Sequence, residues 1–312
     1  MLDPELNAFL QYWDEEWAAL TPGASPKERR AFFEIMAKGM RLTTPDDVET
    51  DDVRWIDSPD GPVRVRIFRH NFGGMQPSLI YMHGGAWTQG SPETHWDITS
   101  RVASWNRQTV ISIDYAKAPE HPFPSALNQC ASVLEWTFAN AGTLGLDREK
   151  IAIGGDSAGA NLAAALSLKF KGTAQHLRAL LLIYPVCDFD LSRPSYKENH
   201  DGPLLKVAGM EAVRAMYCPN PENLKNPLAA PLLAPDHSDL PPTFIAVAEH
   251  DPLRDSGLAY AEALRLADVP VEVDPGVGLI HGYLRAMEHC RASEAGLQRT
   301  TNWLDRRYQN NT

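Results

Sequence analysis

The sequence predicts an α/β fold with a mostly parallel central sheet, helices on both faces and a helical cap. Three observations predict it. From about residue 50 onward, short apolar runs alternate with helical segments, the pattern of linked β–α–β units. Several of these runs are almost continuously apolar, as strands covered on both faces must be. Two helical patterns precede the first strand, and a proline-rich stretch between Asp188 and Pro242 carries no strand pattern.

The first element is a helix in which Leu6, Phe9, Leu10, Trp13, Trp17 and Leu20 form one apolar stripe. Ser25-Pro26-Lys27-Glu28 is a capping box with proline at the first helical position, and Phe32, Phe33, Ile35, Met36 and Met40 follow it. VRWID and VRVRIF alternate as strands around the turn signal SPDGP and predict an antiparallel hairpin. The remaining strands are LIYMH (79–83), VISIDY (110–115), IAIGG (151–155), ALLLIYPV (179–186), FIAVAE (244–249) and VEVD (271–274). A loop as long as the one after Asp188 is uncommon in a compact domain unless it is functional. It reads as a second insertion that packs with the N-terminal helices. The expected organisation is therefore cap helices over 1–50, a catalytic domain over 51–187 and 236–312, and a second cap insertion over 188–235.

Composition narrows the functional classes. The net charge of −11 over 312 residues argues against nucleic acid, which needs a concentrated positive field. MLDPEL has neither a basic nor an apolar signal region, and the longest apolar run is too short to span a bilayer. Cys130, Cys187, Cys218 and Cys290 are scattered without metal-ligand spacing. The expectation is a cytoplasmic protein with reduced thiols and no metal site.

The chemistry centres on KIAIGGDSAGANLAAALSLKFKG, which reads as strand, sharp turn and helix. Ser157 sits at the turn in a G-x-S-x-G pattern with Gly155 and Gly159. A nucleophile projected clear of a sheet needs a sharply bent backbone, so the residues two before and two after it approach closely. The helix that follows aims its free N–H groups and positive dipole end at a developing anion. The competing reading is a serine that merely caps the helix. YMHGGAW, after the strand at 79–83, is either an ordinary glycine turn or a run whose consecutive glycines bring backbone N–H groups to the same anion, shared with the Ala158 N–H of the serine turn. His83 reads as a residue that orients this loop.

Such a serine needs a base to take its proton and a carboxylate to orient that base. His281, in LIHGY, follows the last strand; Asp251 follows FIAVAE at a strand's carboxyl end, where these folds build their sites. Glu249 and Asp255 compete with Asp251 for the acid role. The order Ser157, Asp251, His281 is that of α/β-hydrolases. Asp156, adjacent to the serine, is badly placed to be the acid, and a hydrogen bond to a neighbouring loop is expected of it instead.

Taken together, HGGAW (83–87), DYAKAPEHPFP (114–124), GDSAG (155–159), ENHDGPLL (198–205), LPP (240–242), DPLRDSG (251–257) and HGY (281–283) resemble the hormone-sensitive-lipase-like esterases. This group, bacterial family IV, belongs to the α/β-hydrolase fold. The resemblance implies a cofactor-independent serine carboxylesterase for short-chain acyl esters. It implies Ser157, Asp251 and His281 as the triad and Gly84, Gly85, Ala86 and Ala158 around the oxyanion hole. Ala86 replaces the group's usual third glycine, and Ala116 and Lys117 replace its usual arginine and leucine. Members often dimerise, which leaves a homodimer open.

Trp87, Phe32, Met36, Met40, Leu205, Met210 and Tyr217, with Tyr12 and Trp13, are the candidates for an apolar substrate entrance. Large aromatics there would favour acetyl to hexanoyl esters. Two alternatives remain: hydrolysis of an amide, lactone or carbamate by the same triad, and a non-catalytic ligand receptor. Plant gibberellin receptors resemble this group but lack its catalytic histidine, whereas His281 is present here.

Overall fold

The computed structural model describes residues 1–309, so residues 310–312 of the expected catalytic segment lie outside the described residues. Eight strands form one sheet: β1 Val48–Ile56, β2 Val63–His70, β3 Gln76–Met82, β4 Thr109–Asp114, β5 Leu146–Asp156, β6 Leu180–Ile183, β7 Thr243–Ala246 and β8 Val271–Asp274. Their spatial order is β1-β2-β4-β3-β5-β6-β7-β8. The β1–β2 and β2–β4 pairs are antiparallel and every later pair is parallel. β1 begins five residues before the VRWID stretch, and β5 begins at Leu146, where charged residues hide the strand pattern.

Alternation along the strands sorts the core into two layers. Ile80, Met82, Ile111, Ile153 and Leu182 face one layer, with α4 (Ser125–Asn140), α5 (Ala158–Phe170) and α8 (Arg254–Leu266). Leu79, Tyr81, Val110, Leu181 and Phe244 face the other, with α3 (Trp96–Trp105) and α9 (Arg291–Gln309). All of these strand residues are essentially without solvent contact, which is why their runs lack polar alternation.

α1 (Leu6–Ala18) and α2 (Pro26–Gly39) precede the sheet. Leu6 and Phe9 are fully buried in the layer that holds α9. The capping box at α2 is formed: Ser25 N–H donates to Glu28 Oε2 at 2.8 Å, and Glu28 N–H donates to Ser25 Oγ at 3.3 Å. Phe33 packs its ring against both Trp13 and Trp17. The stretch after Asp188 holds only helical turns, among them the α-helical pieces α6 (Pro194–Glu198) and α7 (Met210–Tyr217).

An ion cluster ties the loop after β3 to the antiparallel end of the sheet. Glu93 accepts from Arg64 at 2.8 and 2.5 Å and from Arg66 at 3.0 Å. Burial alone would raise the Glu93 carboxyl, but the two guanidinium groups overcome it and hold the pKa down at about 2. A carboxyl depressed on folding adds stability above its unfolded pKa, and that stability fades as pH falls from about 4.5 through the folded value. Glu93→Gln should therefore destabilise by about 2 kcal/mol at pH 7 in urea unfolding and by much less near pH 3.

Candidate active site

The carboxyl ends of β3, β5, β7 and β8 converge on one edge of the sheet, and each contributes a loop there. At the end of β5, Ser157 has φ 54° and ψ −119°, a strained conformation for a residue with a side chain. The glycines around it are required by contact. A Cβ on Gly155 would lie 2.2 Å from the Met82 carbonyl oxygen, and one on Gly159 would lie 1.9 Å from it. Ser157 stands at the head of α5, yet its side chain makes no capping hydrogen bond. The helix-cap reading of this serine is thereby removed.

The Ser157 hydroxyl instead faces His281, with Oγ 2.9 Å from Nε2. His281 Nδ1 lies 2.8 Å from Asp251 Oδ2, and Asp251 is completely buried. The other Asp251 oxygen accepts the Leu253 N–H at 2.8 Å, which fixes the carboxylate. The competing acids are engaged elsewhere. Glu249 Oε2 accepts the Gly278 N–H at 2.7 Å, and Asp255 accepts the Ser195 N–H at 2.8 Å and pairs with Arg254. His83 is buried, stacks on Tyr115 and places Nδ1 2.8 Å from the Gly84 carbonyl oxygen. Burial, then the Lys117 charge, pushes its pKa well down, so it stays neutral.

The glycine loop after β3 differs from expectation at one residue. The Gly84 N–H donates to Asp156 Oδ1 at 2.8 Å and is not free for a substrate oxygen. Gly84 is a spacer: a Cβ there would lie 2.4 Å from Asp156 Oδ2. The N–H groups of Gly85 and Ala86 have no hydrogen-bond partner among the described residues, and Ala158 opens α5, where no carbonyl stands one turn back. Ala86 and Trp87 have φ of 54° and 55°, so the loop holds two side-chain-bearing residues in the left-handed region. Lys117 binds Asp114 at 2.7 Å, and Arg30 of α2 reaches the Ala118 and Thr88 carbonyls and the Glu120 carboxylate.

Asp156 lies at the centre of a buried hydrogen-bond group that the sequence only hinted at. Besides Gly84, it accepts the Tyr81 hydroxyl at 2.7 Å, and the Tyr184 hydroxyl is 3.4 Å away. His95 Nε2 stands 3.5 Å from the same carboxylate, and Arg285 reaches His95 Nε2 at 2.8 Å. Burial would raise the Asp156 carboxyl, yet the positive field of the His95–Arg285 pair and the Tyr81 hydroxyl hold it well below the ordinary aspartate range. No local spacing in the sequence links residues 81, 95, 156, 184 and 285.

Ser157 opens into a cleft of about 710 Å³, a size in the range of small-molecule sites. Of the predicted lining residues, Trp13, Trp87, Leu205 and Met210 border it. Tyr12, Phe32, Met36, Met40 and Tyr217 do not. Met36 is buried in packing, Phe32 sits against Trp17, and Met40 borders a small separate crevice. Tyr217 is buried behind Trp87, with the two rings stacked 4.1 Å apart. Trp17 and Leu20 of the N-terminal segment and Val186, Phe189 and Val213 complete the apolar wall. α1 carries its inner stripe to the core at Leu6 and Phe9 and turns its later residues to the cleft, a division that helical period alone does not show.

Residues 79–285 match the family model described as the alpha/beta hydrolase fold. A carboxylesterase of Mycobacterium tuberculosis is 38% identical over 244 residues, 76% of this chain and 75% of that protein. An arylesterase of Saccharolobus solfataricus is 37% identical over 91% of this chain and 92% of its own length. Among solved structures, a thermostable esterase from Pseudomonas putida superimposes with a TM-score of 0.92 at 28% identity, covering 99% of this chain and 98% of that one.

Proposed function

The chain belongs to the α/β-hydrolase fold, in its hormone-sensitive-lipase-like group, and on that premise we propose how its residues divide the work of ester hydrolysis. It is a carboxylic ester hydrolase of the serine type. The observation that carries the residue assignment is the unbroken chain Ser157 Oγ, His281 Nε2, His281 Nδ1 and Asp251 Oδ2, with contacts of 2.9 and 2.8 Å running inward from Ser157 at the cleft.

In this reading Ser157 Oγ attacks the ester carbonyl while its proton passes to His281 Nε2. The carbonyl oxygen becomes an anion held by the N–H groups of Gly85, Ala86 and Ala158. The intermediate collapses, the C–O bond to the alcohol breaks, and His281 returns the proton to the departing oxygen. Water then gives a proton to the same nitrogen and attacks the acyl-enzyme. Collapse of the second intermediate releases the acid and restores the serine hydroxyl. Asp251 fixes the tautomer in which Nδ1 carries hydrogen and stabilises the imidazolium.

We read residues 1–50 and 188–235 as a two-part cap, because Trp13 and Trp17 from the first part and Leu205 and Met210 from the second border one cleft. Trp87, backed by Tyr217 and flanked by Phe189, stands as a rigid wall that favours acetyl to hexanoyl chains. An organophosphonate carrying a butyl group should label Ser157, read as a mass shift on its peptide. A p-nitrophenyl ester series should show turnover falling beyond hexanoyl. Labelling at another residue would overturn the nucleophile, and equal turnover of decanoyl esters would overturn the chain-length limit.

A further inference from the structure

Arg285 lies one turn beyond His281, and its guanidinium meets groups far from it in sequence. Its Nη2 reaches His95 Nε2 at 2.8 Å, its Nη1 donates to the Thr94 carbonyl oxygen at 3.2 Å, and the Phe33 ring of α2 covers its guanidinium at 4.6 Å. An arginine nitrogen can only donate, so the lone pair of His95 Nε2 must accept. His95 is therefore neutral, with its proton on Nδ1, which lies 2.9 Å from Thr94 Oγ1. The side chain of His95 is fully buried, and its Nε2 is also the atom nearest Asp156, at 3.5 Å.

The consequence runs to the oxyanion loop. Asp156 is 3% exposed and adjoins the nucleophile, yet it serves as an acceptor for Gly84 N–H and Tyr81 O–H. A buried carboxylate without an opposite charge takes up a proton. Once protonated, it donates as well as accepts and no longer matches a ring of donors. The oxygen shared by Gly84 and Tyr81, stripped of its charge, then holds the Gly84 N–H less firmly, and Gly85 and Ala86 beside it lose part of their fixed direction. The groups that face Asp156 are Tyr81 from β3, His83 and His95 from the loop that follows, Tyr184 after β6 and Arg285. Of these, Arg285 is the one permanent cation.

We propose that Arg285, relayed through neutral His95, is a positioning residue for the oxyanion loop, acting by keeping Asp156 an anion that anchors the Gly84 N–H. This rests on the assignment of Gly85 and Ala86 as oxyanion donors. The relay also reaches α2 through Phe33, and so links the N-terminal helices to the reacting centre without contact with substrate.

The test is a double-mutant cycle on the full chain with p-nitrophenyl butyrate. Arg285→Met should lower kcat by about tenfold and leave KM within about twofold, since loosened geometry costs the transition state more than binding. Arg285→Lys, which keeps the charge, should stay within about threefold of the parent. Asp156→Asn removes the need for a counter-charge, so adding Arg285→Met to it should change kcat by less than about twofold. A further tenfold loss in the double variant would overturn the proposal, as would a rise in KM at constant kcat. If Arg285→Met does not fold, Arg285→Gln keeps a donor to His95 and removes the charge. Parent-like kcat in that variant would equally overturn it. Should the oxyanion assignment itself be wrong, replacing the Ala86 peptide N–H by an ester oxygen (a lactic acid residue at that position), which removes the donor and still allows φ 54°, would leave kcat unchanged, an outcome independent of the cycle.

Discussion

Ser157→Ala is expected to lower kcat for p-nitrophenyl butyrate by about 10⁶-fold while leaving the fold intact. Removal of Oγ deletes the atom that forms the acyl-enzyme, and nothing in the cleft replaces it. His281 and Asp251 would remain paired 2.8 Å apart, because their contact does not depend on the serine. The side chain makes no capping bond to α5, so its loss removes no helix stabilisation from that source. Urea unfolding should therefore change little. The φ of 54° persists in the alanine variant, so the strain is neither relieved nor increased. A rate within tenfold of the parent would show that another group attacks the ester.

Asp251→Asn should cost about 10⁴ in kcat, the second largest effect. The amide can present its nitrogen to His281 Nδ1, which then accepts and leaves the proton on Nε2, the atom that must receive the serine proton. Asp156→Asn should cost about tenfold or less. An asparagine oxygen at position 156 can still accept from Gly84 and Tyr81, which both bond one oxygen of the carboxylate. The two aspartates thus share chemistry and burial, but one orients a base and the other anchors a loop. Reversal of the two losses, measured side by side, would exchange their roles.

Much of the site was legible because its rules are local. The glycines at 155 and 159 flank a bend that admits no Cβ beside the Met82 carbonyl, and that constraint reads directly as G-x-S-x-G. Asp251 and His281 follow strands whose apolar runs are plain, and both lie at the carboxyl edge. The oxyanion loop was legible in place but not in detail. A glycine pair announces close backbone approach, and it does not say which N–H is taken. Gly84 is consumed by Asp156 because the β3 and β5 ends are neighbours in the sheet. The cleft wall was the least legible part. Phe32, Met36 and Tyr217 are apolar residues in the right segments, and the packing of α1, α2 and α7 turned them away from the cleft.

The sequence by itself determined the layered α/β architecture, the sharp serine turn and the identity of the candidate triad. These follow from steric and periodic rules that act within a few residues, where each side chain's neighbours are set by covalent connection. Only the tertiary structure decided that Asp156 holds Gly84, that His95 and Arg285 stand behind it, and which aromatic rings face the cleft. Those relations join residues far apart in the chain. Hydrogen bonds and charge pairs of that kind depend on distances of about 3 Å, which chain folding sets and no local pattern encodes.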